Sequence, residues 1–157
     1  MADLKTPEQR RAHYRERYIK DEAPGDTAVA TAGVHHLALI ASDLDATIRF
    51  YTEVLQMRLV KVVENRDDPT STHIFIDMGG GNQLAFFDFP EHGPNAAIRG
   101  VGAMHHVAIK APKEKYQAIV TNLEAQGIKH SIHGSTSAGS VYMRDPDDIM
   151  IEITTAA

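Results

Sequence analysis

Hydrophobic and polar positions along this chain fall into one order of elements that occurs twice. From Gly33, an alternating segment predicts a strand over His35–Ala41. A helical spacing of apolar residues follows over about Leu44–Gln56, and then three short strands near Arg58–Glu64, Thr72–Met78 and Gln83–Phe89. After Gly102 the same order returns. A strand is predicted over His105–Ala111, a helix over about Lys113–Gln126, and strands near Lys129–His133, Val141–Arg144 and Ile149–Thr154. The fold class is therefore α+β, with two tandem βαβββ modules at about 33–98 and 102–155 within a domain over 33–157. Residues 1–32 precede it as an extension: Thr6-Pro7-Glu8-Gln9 carries an N-cap, a proline at the first helical position and a capping-box glutamine. A helix over about Pro7–Lys20 has too few apolar residues to be a core helix, and the small residues of Ala23–Ala32 read as a linker.

Direct alignment supports a duplication. Val34-His35-His36-Leu37-Ala38-Leu39 matches Met104-His105-His106-Val107-Ala108-Ile109, with His36 to His106 giving an offset of 70. The closing strands align as well, Leu84-Ala85-Phe86 against Ile151-Glu152-Ile153, and Phe75 falls opposite Tyr142. Strand side chains alternate faces, so His36, Ala38 and Ile40 share one side while Leu37 and Leu39 share the other. In the second copy His106 and Ala108 oppose Val107 and Ile109. Glu152 opposes Ile149, Ile151 and Ile153, and a carboxylate flanked by isoleucines is costly unless it meets a proton, a cation or water. His36, His106 and Glu152 are thus candidate metal ligands. Two imidazoles and one carboxylate with open positions form the donor set of non-haem Fe(II) oxygenases, and Mn, Zn, Co or Ni also suit it.

Composition narrows the functional classes. The chain has 157 residues, with Lys+Arg 16 against Asp+Glu 21 and a net charge of -5, so it lacks the basic surface that nucleic-acid binding requires. Cysteine is absent, which excludes disulfides, thiolate metal sites and cysteine nucleophiles. Without an apolar leader or membrane-spanning run, no membrane partner is expected and a cytoplasmic location is. Gly79-Gly80-Gly81 precedes a strand and reads as a hairpin turn. His13, His73, His92 and His130 read as surface residues, and His35 and His105 as outward neighbours of the ligands.

The paired modules, together with Asp43-Leu44, Phe50-Tyr51-Thr52-Glu53-Val54-Leu55 and Tyr142-Met143-Arg144-Asp145-Pro146-Asp147 ahead of Glu152, resemble the vicinal oxygen chelate superfamily. That superfamily includes glyoxalase I, methylmalonyl-CoA epimerase, fosfomycin-resistance enzymes, bleomycin-binding proteins and extradiol dioxygenases. The resemblance implies a cupped sheet from each module around a metal cavity. Gln56 stands where the family has a helix-ending glycine. Glyoxalase and epimerase members place a fourth ligand on the closing strand of the first module, where this chain has Ala85. His133, followed by Val141, Tyr142, Asp145-Pro146 and Glu152, resembles the extradiol dioxygenase motif, with Ser131 and Asp148 departing from it.

The resemblance implies an Fe(II) extradiol-type dioxygenase that uses dioxygen to cleave a catechol-like aromatic diol. His133 is then the acid/base and Tyr142 the hydrogen-bond donor to the substrate, in a homodimer. Two other classes stay open: a metal-dependent lyase or isomerase of the glyoxalase type, and a non-catalytic binding protein of the bleomycin-resistance type.

Overall fold

The computed structural model describes residues 6–19, 31–89 and 97–155, divided between two units, Met1–Gly33 and Val34–Ala157. In the first unit, helix α1 (Pro7–Tyr18) starts on the expected capping box, with the Gln9 N–H donating to Thr6 Oγ1 at 3.2 Å and the Thr6 N–H to Gln9 Oε1 at 2.9 Å. None of its residues is buried, as its thin apolar content requires. Most of the expected linker, Ala23–Ala30, lies outside the described residues.

The second unit contains both modules. The first is β1 (His36–Ala41), α2 (Leu44–Arg49), β2 (Arg58–Asn65), β3 (Asp68–Gly79) and β4 (Asn82–Asp88). The second is β5 (Val107–Lys110), α3 (Lys113–Ala125), β6 (His130–Gly134), β7 (Gly139–Arg144) and β8 (Met150–Thr154). The sheets have the same order, β1-β4-β3-β2 and β5-β8-β7-β6. In both, the first and last strands of the module pair in parallel, which demands a crossover helix. The registers confirm the alignment between copies: Ala85 lies beside Ala38 and Phe75 as Glu152 lies beside Ala108 and Tyr142.

The apolar faces of both sheets are covered by the helices. Ile76, Leu84 and Phe86 of the first sheet and Val141, Ile151 and Ile153 of the second are buried, as are Tyr51, Val54, Tyr116, Val120 and Leu123. The expected single helix over Leu44–Gln56 is α-helical only to Arg49 and continues as a π-helical turn, Phe50–Val54. Thr52 Oγ1 donates to the Ile48 carbonyl at 2.7 Å, a back-bond that competes with the helical ladder, and the wider turn places Phe50, Tyr51 and Val54 inward. Gln56 ends the segment at φ 57°, the left-handed conformation for which glycine is the usual residue.

Side chains from these turns fasten the modules together. The Tyr51 hydroxyl donates to buried Asp145 at 3.0 Å, and Asn122 Nδ2 donates to the Val54 carbonyl at 3.1 Å. Asp145 also closes the β7–β8 turn by accepting the N–H groups of Asp147 and Ile149, both at 2.9 Å, and Asp148 sits in that turn at φ 63°. The Phe-Tyr and Asp-Pro motifs thus hold the fold together at this point.

Candidate metal centre

Glu152 is the best-defined candidate. Strand β8 buries Ile151 and Ile153 under α3 and turns Glu152 to the opposite face, where it is 9% exposed. His106 Nε2 lies 3.0 Å from Glu152 Oε2. Two donors bound at right angles to one ion, each at about 2.1 Å, stand about 3.0 Å apart, so this pair fits a divalent cation. Tyr142, opposite Glu152 on β7, donates its hydroxyl to the carboxylate, which raises the Tyr142 pKa above the ordinary phenol value. Burial pushes the Glu152 carboxyl upward, but the hydrogen bonds from Ser140 and Tyr142 and the neighbouring His106 outweigh it and hold the pKa below the usual value. The His133 ring lies 5.4 Å from that of Tyr142, on the exposed rim of the same face.

His36 occupies the equivalent place in the first sheet. Its ring meets Phe75 edge-on at 5.8 Å, as His106 meets Tyr142 at 6.0 Å. The groups held with Glu152 are Ser140, Tyr142 and His106, and among the described residues no three His, Asp or Glu side chains of one chain converge on a single point. Within one chain His106, Glu152, Tyr142 and His133 gather on the second sheet, and His36 stands on the first.

His35 and His105 are exposed, as expected of outward neighbours, and their Nδ1 atoms lie 2.8 and 2.6 Å from the Nδ1 atoms of His36 and His106. Arg99 Nη1 lies 3.1 Å from His105 Nε2, and because arginine only donates, that nitrogen accepts.

His73 is not the surface residue expected of it. It stacks on Phe87 at 3.6 Å and lies 4.2 Å from Phe75, and its Nε2 is buried without a hydrogen-bond partner. Burial, then His36 and Lys61, depress its pKa. The signal was present in the sequence, because His73 has the parity of Phe75. His130 is half-buried, donating from Nδ1 to the Ile128 carbonyl at 2.8 Å, and His92 lies outside the described residues.

An apolar cleft of 960 Å³ opens along β1 and β5, the outer strands of the two sheets, with Val34, Leu37, Met78 and Val107 in its walls. None of the three ligand candidates lines it.

This duplicated architecture carries a family signature, since the model of the Glyoxalase/Bleomycin resistance protein/Dioxygenase superfamily matches residues 33–153. The chain belongs to that superfamily. Within this glyoxalase/dioxygenase superfamily, it is 31% identical over 126 residues to MhqE of Bacillus subtilis, named as a candidate ring-cleaving dioxygenase; the match covers 78% of this chain and 41% of MhqE. The chain thus spans about two fifths of that relative's length. It is also 31% identical over 121 residues to a candidate lactoylglutathione lyase of Vibrio cholerae, covering 75% of this chain and 86% of the relative. Among solved structures, the fosfomycin resistance protein FosX of Listeria monocytogenes, in complex with Mn(II) and 1S,2S-dihydroxypropylphosphonic acid, has the same fold. Its TM-score is 0.62 at 17% identity, over 81% of this chain and 94% of FosX.

Proposed function

We propose that the protein is a divalent-metal enzyme, with Fe(II) as the expected ion, that opens a catechol-like aromatic ring in an extradiol-type reaction with dioxygen. The observation that carries this reading is the His106–Glu152 pair, at ligand spacing on a face that also holds Tyr142 and His133. The MhqE likeness supports the reaction class, and FosX provides an example of Mn(II) on this fold. Ala85 is fully buried where Glu152 stands in the other copy, so the first closing strand offers no fourth ligand of the glyoxalase kind.

The third ligand in this reading is His36 of a second copy. The exposure of Ala38 and Ile40 beside His36 and the apolar cleft along the two outer strands support a homodimer. A cytoplasmic location is part of the same proposal.

When bound, the metal would hold the diol and dioxygen together and permit electron transfer between them. The protein's own groups do the rest. Glu152 and the two histidines anchor, Tyr142 orients the diol through its hydroxyl, and His133 takes the proton of one diol oxygen and returns it as the ring opens. Both oxygen atoms of dioxygen enter the product, so the diol is the only reductant required.

The decisive experiment is anaerobic purification, metal analysis, Fe(II) loading and oxygen uptake with a panel of catechols and hydroquinones. Uptake with at least one diol is expected. Turnover of a glutathione hemithioacetal without oxygen use would instead assign a lyase, and ligand binding without metal would assign sequestration. With an active diol, Tyr142→Phe is expected to lower kcat/KM about 100-fold. His133→Ala is expected to lower kcat about 100-fold while bound metal is unchanged.

A further inference from the structure

The two copies have diverged in the chemistry of the sheet faces that carry His36 and His106. On the second sheet, the face around His106 carries Tyr142, Glu152 and Ser140. At the corresponding register positions, the first sheet carries Phe75, Ala85 and His73. Hydroxyl and carboxylate groups on one sheet are thus replaced by rings and a methyl on the other. The rings are continuous: His36 packs on Phe75, Phe75 on His73, and His73 stacks flat on Phe87 at 17°. His73 and Phe87 lie nearly parallel, while Phe75 is tilted 44° from His73 and 67° from His36, so the cluster offers both the stacked and the edge-on neighbours that a planar ring prefers.

One cation belongs to this cluster. A bulge between Leu59 and Lys61 breaks the alternation of β2, so that Leu59 faces the core opposite Ile76 while Lys61 lies opposite Phe75. Lys61 Nζ stands 4.9 Å from the centroid of the Phe75 ring, and among the described residues it has no acidic partner. In a chain with a net charge of -5, an ammonium group over these rings with no acidic partner among the described residues is the feature that can attract an anion.

We propose that the first sheet binds the substrate's ring and that Lys61 pairs with an anionic substituent on it, so that the natural ligands are aromatic carboxylates or similarly charged rings rather than neutral diols. This deepens the dioxygenase reading and rests on it only for the fate of the ring; the binding itself needs no metal.

Benzoate and benzamide have the same shape and differ in charge, and neither is a diol. Their affinities can be compared by saturation-transfer NMR with the full chain, as purified and after chelation of metal. Benzoate is expected to bind about tenfold more tightly at low salt, a preference that shrinks as ionic strength rises. Lys61→Met is expected to remove the preference, and Lys61→Arg to keep it, with unchanged circular dichroism and thermal midpoint showing that both variants are folded. Equal binding of the two probes, no binding of either, or an undiminished preference in Lys61→Met would overturn the proposal. If the preference is present but no diol supports oxygen uptake, the reaction assignment fails and the ligand class stands. If neutral catechol supports oxygen uptake and no charge preference is found, the reaction assignment stands and the ligand class fails.

Discussion

Glu152→Ala is expected to lose at least about 100-fold in divalent-metal affinity, and all oxygen uptake with it, since even changes to groups behind a ligand cost 10–100-fold. His36→Ala is expected to do the same, although it stands on the other sheet from Glu152. The informative experiment is to co-express the two defective chains. In a two-fold assembly with sites shared between subunits, each mixed dimer contains one site with both lesions and one with none, so about a quarter of wild-type activity and metal should return. If each chain completes its own site, mixing restores nothing. Metal content measured on the mixture reports the same result without relying on turnover.

The second large effect concerns stability. Asp145 accepts the Tyr51 hydroxyl and two backbone N–H groups in a buried setting, and burial pushes its carboxyl from the ordinary 3.8 up to about 6. The folded chain therefore retains a proton that the unfolded chain has already released. The stabilisation is complete below about pH 4 and is lost as pH rises through about 6, with a total of about 3 kcal/mol. Asparagine at this position cannot ionise, so the stability of Asp145→Asn relative to wild type should rise by about 3 kcal/mol between pH 4 and pH 7, measured by urea unfolding. A difference that does not change with pH would show that this carboxyl does not titrate in that window. Asp145→Ala leaves three donors without an acceptor and should lose roughly 3 kcal/mol or more throughout.

Much of this molecule was legible in its sequence because duplication leaves a repeated signal. The paired His-His-apolar-Ala-apolar strands located both modules, and strand parity alone placed Glu152 and His106 on a common face. The alignment that set Ala85 against Glu152 is reproduced by the strand registers. What parity could not supply is which face meets which: it assigns His36 to the open side of its sheet but says nothing about whether that side looks toward its own Glu152 or a neighbour's. Lys61 was hidden by the β2 bulge, which interrupts the alternation such reasoning depends on. His73 was overlooked for a different reason, since a solitary histidine in a strand has no spacing of its own, and only its position two residues before Phe75 signals its face. The π-helical turn at Phe50–Val54 depends on a hydroxyl-to-carbonyl bond within the helix, a contact too local to alter the apolar periodicity.

The lock formed by Tyr51, Asp145 and Asn122 has a mechanical consequence. These bonds between the modules of one chain resist a hinge opening between them. In an assembly whose centre spans two such blocks, the aperture is set by how one block glides across the other. A ligand wider than a single ring would then be felt first as weakened association, so that dilution and oversized guests loosen the same seam.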